Sequence, residues 1–370
     1  LEELISFFNT HSIDIVNDAV KSGIQVLGNM VVSNDLTQDY VWRQCFDDFF
    51  LLVLTSANLE IQNCMCMVIY NCMSSKRSHD LVSSIQAYKI MSRILHLCAD
   101  HEDLEWGYFI IDTLVMNGHV ADLYKGLEFD PSASMCLLFT TGSKCNNQKP
   151  LPTEQSSIKT SSSVPKDSLT FLAGEFEEMS NNVFKGDHDF LSPDNMMKTV
   201  LLSRLLRVLS AATALHLSVL QNHPQLLNTA LDLLHQTNGL ANHDKVSHVT
   251  SVSQSQDSGV LNPSHGFKRD LVRLIGNMCY QHTTNQDEVR EKEGIPLLLD
   301  HCNIDDHNPY ICQWAVFALR NVLQDNYKNQ QIVASLDKRG LAENSRLRNF
   351  GIDVKQSDDG KVKLVRKKKD

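Results

Sequence analysis

Apolar residues near the C-terminal end of the chain recur at the spacing of one helical face. They occupy positions i, i+4, i+7, i+8 and i+11 in two segments that lie 44 residues apart. The two sets are Phe267, Leu271, Leu274, Ile275 and Met278, and then Ile311, Ala315, Ala318, Leu319 and Val322. A strand would need a period of two, whereas this spacing fits a helix. The pattern therefore predicts two equivalent, buried helices.

The same template fits other parts of the chain, at a period of about 42 to 44 residues, which is typical of armadillo and HEAT arrays. The further copies are Ile61, Met65, Val68, Ile69 and Cys72; Leu201, Leu205, Val208, Leu209 and Ala212; and, more loosely, Ala19, Gly23, Val26, Leu27 and Met30. After the copy at Phe267, a break at Gly294 and a proline at Pro296 indicate the start of another helix. The predicted fold is all-α, an armadillo/HEAT-like superhelical solenoid of about six to eight repeats.

Two serine- and proline-rich stretches interrupt the periodicity and predict flexible loops. The expected organisation is N-terminal repeats over 1–141, a loop over 142–166, middle repeats over 167–237, a second loop over 238–266, C-terminal repeats over 267–346, and a hairpin with a basic tail over 347–370. The hairpin is predicted because Ile352 and Val354, and then Val362 and Leu364, alternate with polar residues. We expect it to cap the last repeat.

Composition narrows the class of protein. The net charge of -10 argues against a surface built broadly for nucleic acid. The longest strongly apolar run, Phe49 to Leu54, is far shorter than the roughly 20 residues of a membrane-spanning helix, so no span is predicted. The ten cysteines lie mostly within helical patterns, where they pack as small apolar side chains, and this favours reduced thiols in an intracellular compartment.

Several short motifs resemble the C-terminal conserved domain of the ataxin-10 family. They are Leu274-Ile275-Gly276-Asn277, Gly294-Ile295-Pro296-Leu297, Asn308-Pro309 and Ala318-Leu319-Arg320-Asn321, with weaker similarity at Leu27-Gly28-Asn29 and from Trp106 to Asp112. The chain opens at Leu1 without the family's leading segment, so we expect an N-terminally truncated piece.

The resemblance implies a cytoplasmic or perinuclear armadillo-like adaptor with roles in neurite outgrowth, neuronal survival and cytokinesis. It also implies self-association and two partners, a G-protein beta subunit and O-linked N-acetylglucosamine transferase. An alternative hypothesis is a nuclear transport or nucleic-acid-associated armadillo adaptor that uses the basic tail, Arg366 to Lys369. That tail also fits a phosphate contact or a solubilising end.

Four asparagines are candidates for a protein-binding ladder, because each lies near the end of a repeat helix: Asn29, Asn71, Asn277 and Asn321. An amide both donates and accepts hydrogen bonds, which suits recognition of an extended peptide backbone. The structural alternative is that they satisfy local carbonyls or end their helices. Nuclear-import receptors of this fold place tryptophan one turn earlier, but those positions here are Gln25, Met67, Arg273 and Phe317, which disfavours that groove.

Catalytic and metal motifs are weak. Cys302, His307 and Cys312 have ligand chemistry but lack a fourth ligand, and His101-Glu102-Asp103 lacks the second histidine of a zincin. No phosphate-binding loop, nucleophile elbow or dinucleotide fingerprint occurs. We therefore predict a non-enzymatic interaction scaffold without a cofactor or metal, with an unrecognised enzyme as a further alternative.

Overall fold

The computed structural model describes residues 17–46, 48–146, 164–185, 193–239, 266–303, 305, 308–336, 352–356 and 362–366. It divides into two compact units, Leu1–Gln324 and Asp325–Asp370. The predicted loops fall largely outside the described residues, as do His307 and most of the basic tail.

The first unit is an all-α solenoid. Its helices are α1 (Asn17–Val31), α2 (Asp35–Cys45), α3 (Phe49–Leu54), α4 (Leu59–Cys72), α5 (Ser75–Asp80), α6 (Ile85–Asp100), α7 (Glu105–Met116), α8 (Val120–Gly126), α9 (Pro131–Asn146), α10 (Lys166–Lys185), α11 (Pro193–Ala212), α12 (Leu217–Leu220), α13 (Leu226–Gly239), α14 (Phe267–Met278), α15 (Thr283–Glu291), α16 (Gly294–Asp300) and α17 (Ile311–Leu323). None of the helices described is both long and apolar enough to cross a membrane.

The long helices that open successive repeats stack on one another and form what we call the first row. Helix α1 packs on α4 and α4 on α7; α9 packs on both α7 and α11; α11 packs on α14, and α14 on α17. A second layer follows, with α3 on α6 and α13 on α16, and α6 also packs on α9 of the first row. Each repeat thus buries its apolar face against its neighbours, as a solenoid must.

The two C-terminal template helices are confirmed. All ten template positions of α14 and α17 are buried, and both helices begin where the 44-residue shift places them, at Phe267 and Ile311. The residue before each helix, Gly266 or Tyr310, has a positive φ. The side chain of Asn308 also accepts hydrogen bonds from the amides of Lys268 and Arg269, so the α16–α17 loop caps α14.

The template assigned to α1 is wrong by one residue. Ala19, Val26 and Met30 are exposed, whereas the buried positions of this helix are Val20, Ile24, Leu27, Gly28 and Val31. The shift also moves Asn29 one position away from the register of Asn71. A boundary differs as well: α9 continues to Asn146, past residue 142 where the first loop was expected to begin.

The second unit contains helix α18 (Tyr327–Ser335) and two strands, β1 (Ile352–Gln356) and β2 (Val362–Arg366). The strands pair antiparallel, with Ile352 opposite Arg366 and Gln356 opposite Val362. The proposed capping of the last repeat by this pair stays a prediction.

A glycine sets the distance between α14 and α17. A Cβ on Gly276 would lie 2.9 Å from the Cα and Cβ atoms of Ala318, closer than real side chains approach. The backbone of α17 therefore lies directly against α14, and only glycine fits between them.

We expect Gly276→Ala to lower the free energy of unfolding by about 1 to 3 kcal/mol, since the methyl group must push apart two packed backbones. Gly174→Ala in α10 is the matched control, because nothing lies within 4 Å of its added Cβ. It should raise stability by about 0.5 to 1 kcal/mol through helix propensity. Urea unfolding followed by circular dichroism measures both, and equal effects would contradict the close packing inferred at Gly276.

Candidate interaction surface

Two of the four candidate asparagines join neighbouring first-row helices. Asn321 on α17 donates from Nδ2 to the Gly276 carbonyl of α14, at 2.8 Å. Asn277 on α14 donates to the Ser210 carbonyl of α11 and to Thr213 Oγ1, both at 3.3 Å. Ser210 in α11 and Gly276 in α14 lie at equivalent positions, nine residues after the first template residue of each helix. The two links therefore join equivalent positions. Both asparagines are buried, with exposed fractions of 1% for Asn321 and 6% for Asn277.

Other side-chain amides reach the carbonyls at the C-terminal ends of the same helices. Gln286 donates to the carbonyls of Cys279 (3.2 Å) and Asn321 (2.9 Å), and Asn285 donates to that of Met278 (2.8 Å). At the other end of the array, Gln38 donates to the Val31 carbonyl at 2.8 Å. Gln38, Asn285 and Gln286 thus lie on short helices that follow long helices. Each donates to a carbonyl at the C-terminal end of the long helix before it.

The exposed ladder that we predicted from the four asparagines is therefore corrected. Asn277 and Asn321 are buried and bonded to the preceding helix, which leaves their amides unable to reach an extended partner in this arrangement. Asn71 is half-buried and Asn29 is exposed, one position out of register. The structural alternative was closer, although the carbonyls belong to the neighbouring repeat rather than to the same helix.

Aromatic rings collect on the exposed side of α4 and α7. The ring of Tyr70 lies 5.6 Å from that of Trp106 and 5.8 Å from that of Phe109, and the last two meet edge to face at 5.6 Å. Phe109 is 38% exposed. We call Tyr70, Trp106 and Phe109 the ring patch.

Arginines collect on the same side of the array further along, on α11 and α14. We call Arg204, Arg207, Arg269 and Arg273 the arginine patch. Arg269 forms a bidentate pair with the buried carboxylate of Asp270, at 2.9 and 3.0 Å, and Arg207 Nε lies 3.6 Å from the same carboxylate. The guanidinium of Arg273 lies 5.0 Å from the ring centre of Trp314 on α17.

The sequence contained a signal for this patch that we did not use. Arg204 and Arg207 sit 66 residues before Asp270 and Arg273, and these sit 44 residues before Trp314 and Phe317. These residues lie at i+3 and i+6, counted from the first template residue of three consecutive first-row helices. In α14 and α17, the i+6 position lies one turn before Asn277 and Asn321.

A serine, a histidine and an aspartate meet between α6 and α9, but in an order that does not serve nucleophilic catalysis. Asp130 lies in the middle: it accepts from Ser92 Oγ, it lies 3.0 Å from His96 Nε2, and it caps α9 by accepting from the Ala133 amide. In a catalytic triad the imidazole lies between the hydroxyl and the carboxylate and takes the hydroxyl proton. Here the three residues fasten the start of α9 to α6.

A second histidine–carboxylate pair lies in a polar cleft between α10 and α13. His223 Nδ1 is 2.9 Å from Glu177 Oε1, and burial raises the pKa of the Glu177 carboxyl. The cleft beside Glu177 is also lined by amides and a hydroxyl, among them Asn181, Asn228 and Thr229. This arrangement fits a polar contact between α10 and the loop that precedes α13.

The cysteines pack as apolar side chains. All ten are unpaired, and burial raises the pKa of the Cys66 and Cys72 thiols to about 12, which makes them poor nucleophiles. Cys312 Sγ donates to the Cys302 carbonyl at 2.9 Å, while His307 lies outside the described residues. Among the residues that the structure describes, no three metal-ligating side chains converge.

Comparison with known proteins gives a consistent result over most of the chain. A family model described as the spinocerebellar ataxia type 10 protein domain matches residues 267–365. Ataxin-10 of Xenopus tropicalis is 32% identical over 359 residues, which cover 95% of this chain and 71% of that protein. Ataxin-10 of Bos taurus is 30% identical over 350 residues, covering 94% and 71%, and that of Homo sapiens is 29% identical over 343 residues, covering 91% and 69%.

The buried asparagines lead to a stability prediction. Replacing Asn277 and Asn321 together by alanine should lower the free energy of unfolding by about 2 to 5 kcal/mol, since each change leaves a buried carbonyl without its amide donor. Asn29→Ala, at an exposed position, should change it by less than about 0.5 kcal/mol. Chemical unfolding monitored by circular dichroism compares the two variants. A double variant as stable as the parent would show that these amides do not hold the repeats together.

Proposed function

Because the chain belongs to the ataxin-10 family, we propose that it is a non-enzymatic scaffold that binds other proteins across the exposed side of its first-row helices. The observation that carries this proposal is the composition of that side. It presents the ring patch on α4 and α7 and the arginine patch on α11 and α14, with Trp314 and Phe317 following on α17. Aromatic and arginine side chains are the types most enriched at the energetic centres of protein interfaces.

The mixed character of this surface favours a protein partner over nucleic acid. A nucleic-acid groove needs a continuous row of lysines and arginines that follows the phosphate backbone. Here the arginine patch surrounds the buried carboxylate of Asp270 and is bordered by the aromatic rings of α17. The ring patch holds no cation among its three members.

The proposal extends to the biology that the family resemblance implies. The chain would act as an armadillo-like adaptor in neurite outgrowth, neuronal survival and cytokinesis, in the cytoplasm or the perinuclear region. Its proposed partners are a G-protein beta subunit, O-linked N-acetylglucosamine transferase and a second copy of the chain. The ten unpaired cysteines support a reducing compartment.

Binding to the two purified partner proteins tests the proposal. Phe109→Glu places a charge in the ring patch and should weaken at least one of the two complexes about tenfold or more, as expected for an aromatic residue at an interface centre. Biolayer interferometry with the immobilised chain measures the affinity. Phe129→Glu is the matched control, because that side chain is 94% exposed and stands apart from the ring patch.

The control should bind as the parent does. The scaffold proposal fails for these partners if neither purified protein binds the parent chain. If they bind and Phe109→Glu has no effect, the ring patch is not their site. Sedimentation equilibrium on the same samples tests self-association separately.

A further inference from the structure

The arginine patch brings four cationic side chains together on two adjacent helices. Arg269 and Arg207 lie within ion-pair distance of the Asp270 carboxylate, and Arg273 is close enough to feel its charge. Arg204 lies near Arg207, on α11. The Asp270 side chain is only 5% exposed, so its charge is directed to the arginines that contact it. Asp270 thus forms ion pairs with two of the four arginines, Arg207 and Arg269.

Asp270 fixes two of these arginines in place. It holds Arg269 through two parallel hydrogen bonds and lies 3.6 Å from Arg207. The guanidinium of Arg269 also packs on Gly266, where any added Cβ would lie 2.6 to 2.9 Å from its atoms. The position of the patch is thus determined by the folded array before any ligand arrives, which reduces the entropy lost on binding.

The other two arginines have unmet hydrogen-bonding capacity. Among the described residues, no carboxylate lies within ion-pair distance of Arg204 or Arg273, and the buried Nε of Arg273 has no hydrogen-bond partner. Burial lowers the pKa of both guanidinium groups. Arg207 lowers the pKa of Arg204 further, whereas Asp270 raises the pKa of Arg273 and Arg269 lowers it. An anion bound beside these two groups would favour their charged forms and accept hydrogen bonds from their guanidinium N–H groups.

We propose that the arginine patch binds an acidic segment of a partner protein, one that presents carboxylate or phosphate groups to Arg204 and Arg273. This inference rests on the proposed scaffold function and specifies the chemistry of one partner at one place on the first row. The ring of Trp314 packs against Arg273 and offers an apolar border for the segment's other side chains. Arginine pairs with both kinds of anion through two parallel hydrogen bonds.

The surroundings of the patch favour a protein segment over nucleic acid. The chain as a whole carries a net charge of -10, which repels a long polyanion outside the patch. The cations are confined to two adjacent helices, so the patch suits a short cluster of anionic side chains. A nucleic-acid strand remains an outcome that the experiment can detect.

The experiment uses the full chain and four fluorescein-labelled probes in anisotropy titrations. The probes are a decaglutamate peptide, a peptide that alternates phosphoserine with glycine, a decaglutamine peptide of neutral charge, and a decauridylate RNA. We expect at least one of the two acidic peptides to bind, the glutamine peptide not to bind, and the affinity to fall as salt is raised from about 50 to 200 mM.

Two matched variants locate the binding. Arg204→Gln with Arg273→Gln should weaken the acidic peptide about tenfold or more, as expected for the loss of two charge-assisted contacts. Lys76→Gln with Lys89→Gln removes the same charge from exposed positions on α5 and α6 and should leave the affinity unchanged. Lys367→Gln with Lys368→Gln tests whether the C-terminal tail is responsible instead.

The proposal is overturned if the patch variant binds as the parent does, if the tail variant is the one that loses binding, or if the RNA binds through the patch more tightly than both peptides. Should the patch variant fail to fold, hydrogen exchange on the parent decides: protection by the peptide must fall on α11 and α14. If neither peptide binds but a purified partner protein does, the patch proposal fails and the scaffold proposal stands.

Discussion

The carbonyl groups at the C-terminal ends of the first-row helices lie inside the array. The stacking of repeats depends on the side-chain amides that donate hydrogen bonds to them. A helix leaves its last carbonyls without backbone partners, and burying them unsatisfied costs about 1 to 3 kcal/mol each. Asn277 and Asn321 supply donors from the following helix, and Gln286 supplies them from the short helix beside it. Water would serve a surface helix, but here a neighbouring repeat excludes it.

These links also fix the register of the array. The amide of Asn321 reaches the Gly276 carbonyl only because Gly276 lets the backbone of α17 approach α14 so closely. Once the distance and the axial offset between two helices are set, equivalent residues on those helices lie next to each other. That is how Arg273 comes to lie over Trp314, and how Arg207 comes within reach of Asp270, although 63 residues separate the last pair in the chain.

The sequence predicted the helices well where large apolar residues mark a single face, as at Phe267 and Ile311. It failed by one residue in α1, because Ala19, Gly23 and Val26 satisfy the same spacing as the residues that are in fact buried, and only packing against α4 decides between two adjacent faces. Asn277 and Asn321 were found at the right register but with the wrong exposure, whereas Asn29 is exposed but one position out of register. Whether an amide points to solvent or to the next helix depends on how near that helix comes, which no local pattern contains.

Residues that join the repeats and residues that face outward lie one turn apart on the same helix. In α14, Asn277 faces α11 and holds the stack, while Arg273, one turn earlier, faces outward over Trp314. The corresponding outward positions are Met67 in α4, Arg207 in α11 and Phe317 in α17, so this position changes from apolar to cationic to aromatic along the row while the helices keep the same packing. Because this position lies beside the apolar template face and not on it, its chemistry can differ from one helix to the next without changing the fold. A solenoid built in this way can present separate sites to different partners along its length.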